Sequence, residues 1–335
     1  MSKNSDKKAK NKSAKQAELA KQKMPSPKLV KRLNKIIKKH GSAFDDLLAD
    51  VKNLSTLWVT PAAEALRWHP GDQIRKMDFT ATPGFVGDKK HALALVRAVE
   101  PELDDLQERL YAEGKHDGHR SVLLVIQGLD TAGKGGIVRH VVGLFDPQGI
   151  RHHSFGVPTE EEAQNGYLWR IRNALPKPGL ITVFDRSHYE QVLIVRVNEM
   201  EDEATWQAHY DEINEFEAAA VANGTKIVKV AMMVSPEEQK NRLNARLDRE
   251  DKLWKFNPRD LDTRANFDKY LTAYQDMLDK TNTDIAPWYV IPCDNKWFAQ
   301  LAVTELLLSA LQSMDLQWPD AEFDIEEQRR RLAGM

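Results

Sequence analysis

Short apolar runs alternate with longer amphipathic stretches along the chain from about residue 91 onward. A short apolar run is typical of a strand buried on both faces, and apolar positions spaced by three or four are typical of a helix. The pattern predicts five strands, at residues 121–127, 149–156, 180–185, 226–234 and 288–293. It predicts helices at 91–113, 136–145, 158–174, 203–222, 235–254, 262–282 and 296–313. Strands that alternate with helices imply an α/β protein in which helices cover both faces of a mainly parallel sheet.

A glycine-rich turn joins the first predicted strand to the next helix. The turn, GLDTAGKGG at 128–136, fits the pattern G-x-x-x-x-G-K-[ST] up to its lysine. Glycines let successive backbone N–H groups face phosphate oxygens, and the helix start and the lysine add positive charge. The turn therefore predicts a phosphate-binding Walker A loop, whose expected phosphate contacts are Gly128, Thr131, Ala132, Gly133, Lys134, Gly135 and Gly136.

The loop departs from the pattern where a magnesium-binding hydroxyl is usual. Gly135 stands at the Ser/Thr position, and the loop carries an additional carboxylate, Asp130. The metal ligand is therefore expected to have moved, and Asp130 is the first candidate. Asp185, followed by Arg186, ends the third predicted strand as in a Walker B motif, where the carboxylate holds magnesium directly or through water. The alternative for Asp185 is a turn or helix cap.

Basic side chains recur on the helix predicted after the fourth strand. Arg242, Arg246 and Arg249 are spaced by four and three residues, which places them on one helix face. We interpret residues 235–260, approximately, as a lid segment that closes arginines on transferring phosphates. The alternative is a solvated face that forms ion pairs with nearby acids. In the helix predicted at 158–174, Arg170 is a further candidate for a phosphate contact.

Charge is distributed unevenly along the chain. Residues 1–40 contain 14 Lys or Arg against 2 Asp or Glu, although the net charge of all 335 residues is −2. This composition predicts a disordered lysine-rich tail, which is either a solubilising arm or an electrostatic arm for a polyanion. The remainder is expected to comprise a helical or irregular extension at 41–90, the phosphate-binding domain at 91–315, and a charged C-terminal tail at 316–335.

Cysteine content and hydropathy limit the expected location. The single cysteine, Cys293, excludes a disulfide within the chain and is expected to be a packed small residue. No apolar run approaches membrane-spanning length, and the basic tail lacks the apolar segment of a signal peptide. The sequence therefore predicts a soluble, cytoplasmic protein.

Four separated segments resemble the polyphosphate kinase 2 family, over roughly residues 70–312. They are GLDTAGKGG, PTEEEAQNGYLWR, FDRSHYEQVLIVRV and EEQKNRLNARLDREDKLWKFNPRD, in the family's order. The resemblance implies a thymidylate-kinase-like P-loop kinase fold with a helical lid. It also implies phosphate transfer between inorganic polyphosphate and nucleotides, with Mg²⁺, or alternatively Mn²⁺, as cofactor.

The resemblance also implies roles for individual residues. Asp130 and Asp185 would organise the metal, and Glu161 would lie near the nucleotide base. The remaining catalytic residues would be Lys134 and Arg186, which contact phosphates, and Arg242 and Arg246, which belong to the lid.

The segment SHYEQVLIVRV is similar to the class III branch of this family, which acts on both nucleoside mono- and diphosphates. Asn165 and Gly166 depart from the family pattern, because a His and an Asp are expected there. The expected partners are inorganic polyphosphate and adenine or guanine nucleotides, in a homo-oligomer, with neither membrane nor nucleic acid as partner.

The chemistry expected of this arrangement is direct in-line transfer from a terminal polyphosphate group to an AMP- or ADP-type acceptor, without a protein nucleophile. Two alternatives remain at the level of the residues. The same loop would serve an ATP-dependent kinase for a nucleotide or small metabolite, and it would serve a module that binds a nucleotide or polyanion without turnover.

Overall fold

A computed structural model describes residues 55–335 of the protein. The predicted lysine-rich tail at 1–40 and the first part of the predicted extension lie outside the described residues.

Five parallel strands form the centre of the molecule, in the order β2-β3-β1-β4-β5. They are β1 Ser121–Gly128, β2 Ile150–Ser154, β3 Ile181–Asp185, β4 Thr225–Met233 and β5 Trp288–Pro292. The central strand β1 is buried at every position, which explains its continuous apolar sequence. The predicted α/β class and five-stranded parallel sheet are confirmed.

Helices pack against the sheet in two groups. The helices are α1 Ala62–Ala65, α2 Lys89–Glu113, α3 Lys134–His140, α4 Glu160–Gln164, α5 Tyr167–Ala174, α6 Ile194–Val197, α7 Glu203–Ala222, α8 Pro236–Leu247, α9 Arg259–Ala265, α10 Phe267–Thr281, α11 Lys296–Gln312 and α12 Ile325–Ala333. Helix α11 packs on α2, α3 and β4, whereas α7 packs on β4 and α10. Among the described residues, no helix has the length and hydrophobicity needed to cross a bilayer.

Four predicted helices are interrupted. The helix predicted at 136–145 ends at His140 and gives way to a 3₁₀ turn, and the helix predicted at 262–282 is divided at Asn266. The helix predicted at 158–174 is divided into α4 and α5 by Gly166, whose φ of 79° is incompatible with a continuous helix. The helix predicted at 235–254 ends at Leu247 and is followed by a 3₁₀ turn, Glu250–Lys255. The lid segment is therefore a helix and a separate turn.

The order of the strands determines where a ligand can bind. The connection after β1 leads to β2 on one side, and the connection after β3 leads to β4 on the other. In a parallel sheet, such a reversal opens a crevice between the carboxyl ends of the two strands. The Walker A loop follows β1 and Asp185 ends β3, so the topology brings the two predicted motifs to the same crevice.

Candidate active site

The Walker A loop is shaped by close backbone approach and by left-handed residues. A Cβ atom at Gly128 would lie 2.8 Å from the carbonyl oxygen of Met232 in the adjacent strand. Gly133 has φ 116° and Thr131 has φ 69°. Both angles lie in the region that glycine tolerates best, so the loop turns sharply between β1 and α3. The turn gives the backbone the conformation expected of a phosphate cradle.

The lysine of the loop is folded across it. Lys134 Nζ lies 2.6 Å from the carbonyl oxygen of Gly128 and 3.4 Å from that of Leu129. The ammonium group therefore lies over the loop, where it can exchange these carbonyls for phosphate oxygens.

Arg186 is the cation at the centre of an acidic group of side chains. Its Nη2 lies 3.3 Å from Asp130 Oδ1. Its backbone N–H donates to the carbonyl oxygen of Ile126 in β1, and its backbone has a left-handed φ of 65°. Burial lowers the pKa of Arg186, but Glu190, Asp130 and Asp185 raise it above its ordinary value. The structure thus places Arg186 beside Asp130 and Asp185, whose roles in binding metal and phosphate stay predictions.

The carboxylates of Asp130 and Asp185 are suitable ligands for a magnesium ion whose other ligands come partly from substrate. Asp130 and Asp185 supply hard oxygen ligands beside the loop, and within residues 55–335 no group of three or more His, Cys, Asp or Glu could hold a metal alone. Magnesium usually takes one or two carboxylates and completes its shell with phosphates and water. The donor set therefore suits Mg²⁺ that arrives with, or is completed by, phosphate.

Glu190 is a site residue that the sequence reasoning missed. The carboxylate lies next to Arg186 and Asp130, and the amide nitrogen of Gln127, oriented to satisfy its neighbours, lies 3.1 Å from Glu190 Oε1. Burial and Asp130 raise the pKa of Glu190, against the opposing effects of Arg186 and Lys134. A 3₁₀ turn, His188–Val192, returns the chain so that Glu190 faces the site again.

Two tyrosines from α10 border the same carboxylates. Tyr270 and Tyr274 line a small cavity together with Asp130, Arg186 and Glu190. Burial and the nearby carboxylates raise the pKa of Tyr270 to about 12, so its phenol is a neutral donor at pH 7.

A first cleft, which we call the cationic cleft, lies between α3, the lid segment and the start of α11. Its volume is about 330 Å³, and in the described part of the chain no carboxylate lines it. The Walker A residues Thr131 to Gly133 form one wall. The basic lining residues are His140, Arg242, Arg246, Arg249, Lys252, Lys255 and Lys296.

Arg242 has its guanidinium directed at the protein rather than at open space. Only 7% of the residue is exposed. Its Nη1 donates to the carbonyls of Thr131 at 2.9 Å and Ala132 at 3.1 Å, and its Nη2 donates to those of Cys293 and Asp294. Its Nε donates to Glu238. Arg242 therefore supports the Walker A loop from beneath. This position differs from the contact with transferring phosphate that the sequence led us to expect.

Arg246 and Arg249 are placed differently from Arg242. Arg246 lines the cationic cleft while its Nη1 lies 3.0 Å from Asp260 Oδ2. Arg249 also reaches the cleft, and its guanidinium pairs with Asp251 at 2.9 Å. Arg246 and Arg249 therefore form ion pairs with nearby acids and also line the cationic cleft.

A second cleft, which we call the mixed cleft, opens on the other side of Arg186. Its volume is about 580 Å³. Arg170, Arg186, Glu190 and His209 are among its charged or titratable lining residues, and its apolar walls are Phe155, Val157, Ile194, Val195 and Met200. Arg186 and Glu190 also border the small cavity at Asp130, so they connect the two ends of the site.

Of the two residues predicted in segment 158–174, the structure places Arg170 in the mixed cleft and Glu161 outside its lining. Arg170 lines it, with Nη1 2.9 Å from the carbonyl of Gly156 and the guanidinium 5.5 Å from the ring centre of Phe155. Glu161 is exposed and does not line the cleft, whereas Glu162 does and lies 3.7 Å from Arg170. Glu161 therefore lies outside the lining of the mixed cleft, and its expected position near the base stays a prediction.

A group of titratable side chains closes the far end of the mixed cleft. His209 contacts Glu201 through Nε2 and Glu212 through Nδ1, each at 2.9 Å. Tyr167 donates to Glu212 at 2.9 Å, and its ring lies 4.7 Å from that of His209. This end therefore presents aromatic edges and fixed polar groups.

Comparison with known proteins decides the family. The model of the family Polyphosphate kinase 2 (PPK2) matches residues 87–319. The chain belongs to the polyphosphate kinase 2 family. Among polyphosphate kinase 2 relatives, the chain is 40% identical over 250 residues to the AMP/ADP-polyphosphate phosphotransferase of Meiothermus ruber, covering 75% of this chain and 92% of that protein.

Further relatives agree in sequence and in fold. The chain is 38% identical to the ADP-polyphosphate phosphotransferase of Rhodopseudomonas palustris, covering 72% of this chain and 86% of that protein. It resembles the crystal structure of polyphosphate kinase 2 from Arthrobacter aurescens TC1, with 45% identity and a TM-score of 0.81, covering 83% of this chain and 98% of that one. The predicted P-loop kinase fold is confirmed.

Proposed function

We propose that this protein transfers phosphoryl groups between inorganic polyphosphate and nucleoside mono- and diphosphates, forming ATP from AMP or ADP. One observation carries the proposal: the Walker A loop lines a cationic cleft with residues 131–133, and its Asp130 is hydrogen-bonded to Arg186, which lines a second cleft of different chemistry. The relatives named as AMP/ADP- and ADP-polyphosphate phosphotransferases support the same pair of substrates.

Polyphosphate is assigned to the cationic cleft. A phosphate chain carries negative charge along its length and has no base or sugar to recognise. A cleft lined by several cations and, within residues 55–335, by no carboxylate suits that ligand. Arg246, Lys252 and Lys255 would contact successive phosphates and guide the chain end to Lys134.

The nucleotide is assigned to the mixed cleft. Its apolar walls suit a base, and Arg170 and Arg186 are placed to meet the acceptor phosphate. The end formed by Tyr167 and His209 would lie nearest the base, in place of Glu161. The choice between adenine and guanine stays a prediction.

Asp130 and Asp185 would hold Mg²⁺, or Mn²⁺ in its place, between the two substrates. The metal would neutralise charge on the phosphates that approach each other. Lys134 and Arg186 would stabilise the charge on the transferring group, and Arg242 would keep the Walker A loop in the conformation that receives it.

The reaction needs no protein nucleophile. A phosphate oxygen of the nucleotide forms the new bond to the terminal phosphorus of polyphosphate, and the bridging P–O bond breaks. The shortened polyphosphate leaves with the electron pair. Because a nucleotide's terminal phosphate is largely ionised at pH 7, no side chain has to remove a proton from it.

A donor exchange tests the function. The protein is incubated with AMP or ADP and magnesium, with either long-chain polyphosphate or ATP as donor, and nucleoside triphosphate and chain length are measured. With base-labelled AMP or ADP, we expect the label to reach the triphosphate only when polyphosphate is the donor, accompanied by shortening of the polyphosphate. Phosphorylation of a metabolite from ATP would instead indicate an ATP-dependent kinase, and binding without transfer would indicate a non-catalytic module. The cytoplasmic location and homo-oligomeric state stay predictions.

A further inference from the structure

Lys229 carries an ammonium group in the hydrophobic core, at a position that the proposed reaction does not use. It lies in the middle of β4, paired in register with Val125 of β1 and Trp288 of β5, and its side chain is fully buried. Burying a charged group is unfavourable unless every donor finds a partner. Lys229 Nζ meets this condition: it donates to Glu217 Oε2 at 2.6 Å, to the Tyr189 hydroxyl at 2.8 Å and to the carbonyl of Thr281 at 2.8 Å.

The partner carboxylate is equally well satisfied. Glu217 Oε1 accepts from the Tyr189 hydroxyl at 2.7 Å and lies 3.2 Å from His188 Nε2. Burial lowers the pKa of His188 and raises that of Tyr189, so both are neutral beside one cation and one anion. We call Lys229, Glu217, His188, Tyr189 and Thr281 the buried anchor. It is electrically balanced and joins β4, α7 and α10 to one short turn.

That turn leads directly from the active site. His188 and Tyr189 follow Asp185 and Arg186 in the chain and begin the 3₁₀ turn His188–Val192. The side chains on either side of them, Arg186 and Glu190, point to the mixed cleft and to Asp130. The buried anchor therefore holds the inner face of a segment whose outer face forms the site.

The segment is also held in a conformation that it would not adopt readily by itself. Arg186 has φ 65°, which is unfavourable for a side chain with a Cβ atom. Such a conformation persists when neighbouring contacts determine it. Ser187, the next residue, contacts the side chain of Gln127, and the two residues after it, His188 and Tyr189, contact Glu217.

We propose that the Lys229–Glu217 pair is a positioning device that fixes residues 185–190 in the geometry needed for phosphoryl transfer. The inference rests on the proposed function, because its main readout is the rate of transfer. A neutral pair of similar size would pack in the same space, and such replacements of buried ion pairs often preserve stability. The contribution of the charged Lys229–Glu217 pair is therefore the direction and rigidity of its hydrogen bonds to the turn at residues 188–192.

The decisive variant replaces both charges at once, Lys229→Met with Glu217→Gln. Changing only one would leave an unpaired charge in the core and disturb folding. We expect the double variant to keep a melting temperature within a few degrees of the wild type and KM values within about twofold, while kcat falls about tenfold or more, since small misplacements of reacting groups are costly. Amide hydrogen exchange at residues 186–192 should accelerate. A folded double variant with wild-type kcat would overturn the proposal.

Two further variants complete the test. Lys226→Met removes an exposed lysine from the same strand and should leave kcat, KM and stability unchanged. Tyr189→Phe removes one hydroxyl of the buried anchor; should the double variant not fold, this variant decides, and a wild-type kcat in it would overturn the proposal. Failure of the proposed function is distinguishable, because then the wild-type protein itself would not transfer phosphate from polyphosphate.

Discussion

The cationic cleft and the mixed cleft are linked through the Walker A loop, whose Asp130 contacts Arg186, but the two clefts have no lining residue in common and differ in their chemistry. The first is lined by basic residues from the lid segment, α3 and α11, while the second combines apolar walls with carboxylates, arginines and a histidine. A ligand that is only a chain of phosphates needs charge, whereas a nucleotide also needs apolar surface and fixed polar groups. The difference between the clefts thus separates the two substrates before any reaction occurs.

The largest effects are expected at the Walker A lysine and at the aspartate that ends β3. Lys134→Ala or Asp185→Asn should lower kcat about 10²- to 10³-fold with either AMP or ADP as acceptor, because the first removes a cation that would contact the transferring group and the second removes a carboxylate that would hold the metal. Steady-state kinetics with polyphosphate measure this, with Lys226→Ala as an exposed control. Near-normal turnover of either variant would contradict a common site for both substrates.

A smaller loss of activity, equal for AMP and ADP, is expected when Arg242, which supports the Walker A loop, is replaced. Arg242→Met should destabilise the fold by about 2–4 kcal/mol, because buried carbonyls and Glu238 lose their donors. It should also lower kcat about tenfold for both acceptors as the Walker A loop loosens. Urea unfolding and kinetics measure the two effects. Loss of rate with unchanged stability would instead indicate that Arg242 contacts the transferring phosphate directly.

The matched change in the same helix region is Arg249→Met. Arg249 is exposed and pairs with Asp251, so its removal should change stability by less than about 0.5 kcal/mol. Because its guanidinium reaches the cationic cleft, KM should rise for polyphosphate and not for the nucleotide. A larger effect on nucleotide KM would argue against the separation of the clefts.

Stability can be changed without touching either cleft. Burial and the nearby Glu102 raise the pKa of Glu305 in α11 to about 7. Between pH 4.5 and 7 the folded state therefore keeps a proton that the unfolded state has lost, and stability falls as pH rises through this window. Glu305→Gln should raise the free energy of unfolding by about 2 kcal/mol at pH 8 and by almost nothing at pH 4.5.

Urea unfolding at the two pH values measures this effect, and Glu108→Gln, on the exposed side of α2, is the control. Neither substrate's KM should change in Glu305→Gln. A KM shift would mean that α11 transmits changes in packing to the cationic cleft through Lys296.

The smallest effect should distinguish two adjacent acids of α4. Glu162 lies beside Arg170 in the mixed cleft, whereas Glu161 is exposed and does not line the cleft. Glu162→Gln should change nucleotide KM by about threefold and leave polyphosphate KM constant, since a partly exposed ion pair contributes little. Glu161→Gln should change neither. The reverse result would return Glu161 to the base site implied by the family resemblance.

The sequence predicted the features that depend on neighbouring residues. Apolar runs identified four of the five strands, and the glycine spacing located the Walker A loop, because both patterns are local. The edge strand β2 was also predicted, although its sequence IRHHS is mostly polar and exposed. The break between α4 and α5 at Gly166 was missed, since the apolar spacing continues across it. The unpredicted helix α12 has no buried position, so no apolar periodicity marked it.

Site residues with distant partners could not be predicted in the same way. Helical spacing places Arg242 on a face but cannot show that the face meets the carbonyls of residues 131, 132, 293 and 294. Glu190 needs the 3₁₀ turn to return to Arg186, and Lys229 meets Glu217 and Tyr189 only in the folded core. Tertiary contacts decide these roles, and a single sequence does not contain them explicitly.

The most direct test of the account is a crossed measurement of KM for both substrates. Lys252→Gln with Lys255→Gln removes two charges from the cationic cleft, and Met200→Asp places a charge on an apolar wall of the mixed cleft. We predict that the first variant raises KM about tenfold for polyphosphate alone, and that the second does so for the nucleotide alone, each equivalent to about 1.4 kcal/mol of binding. Equal increases for both substrates in either variant, or increases for the opposite substrate, would contradict two separate clefts.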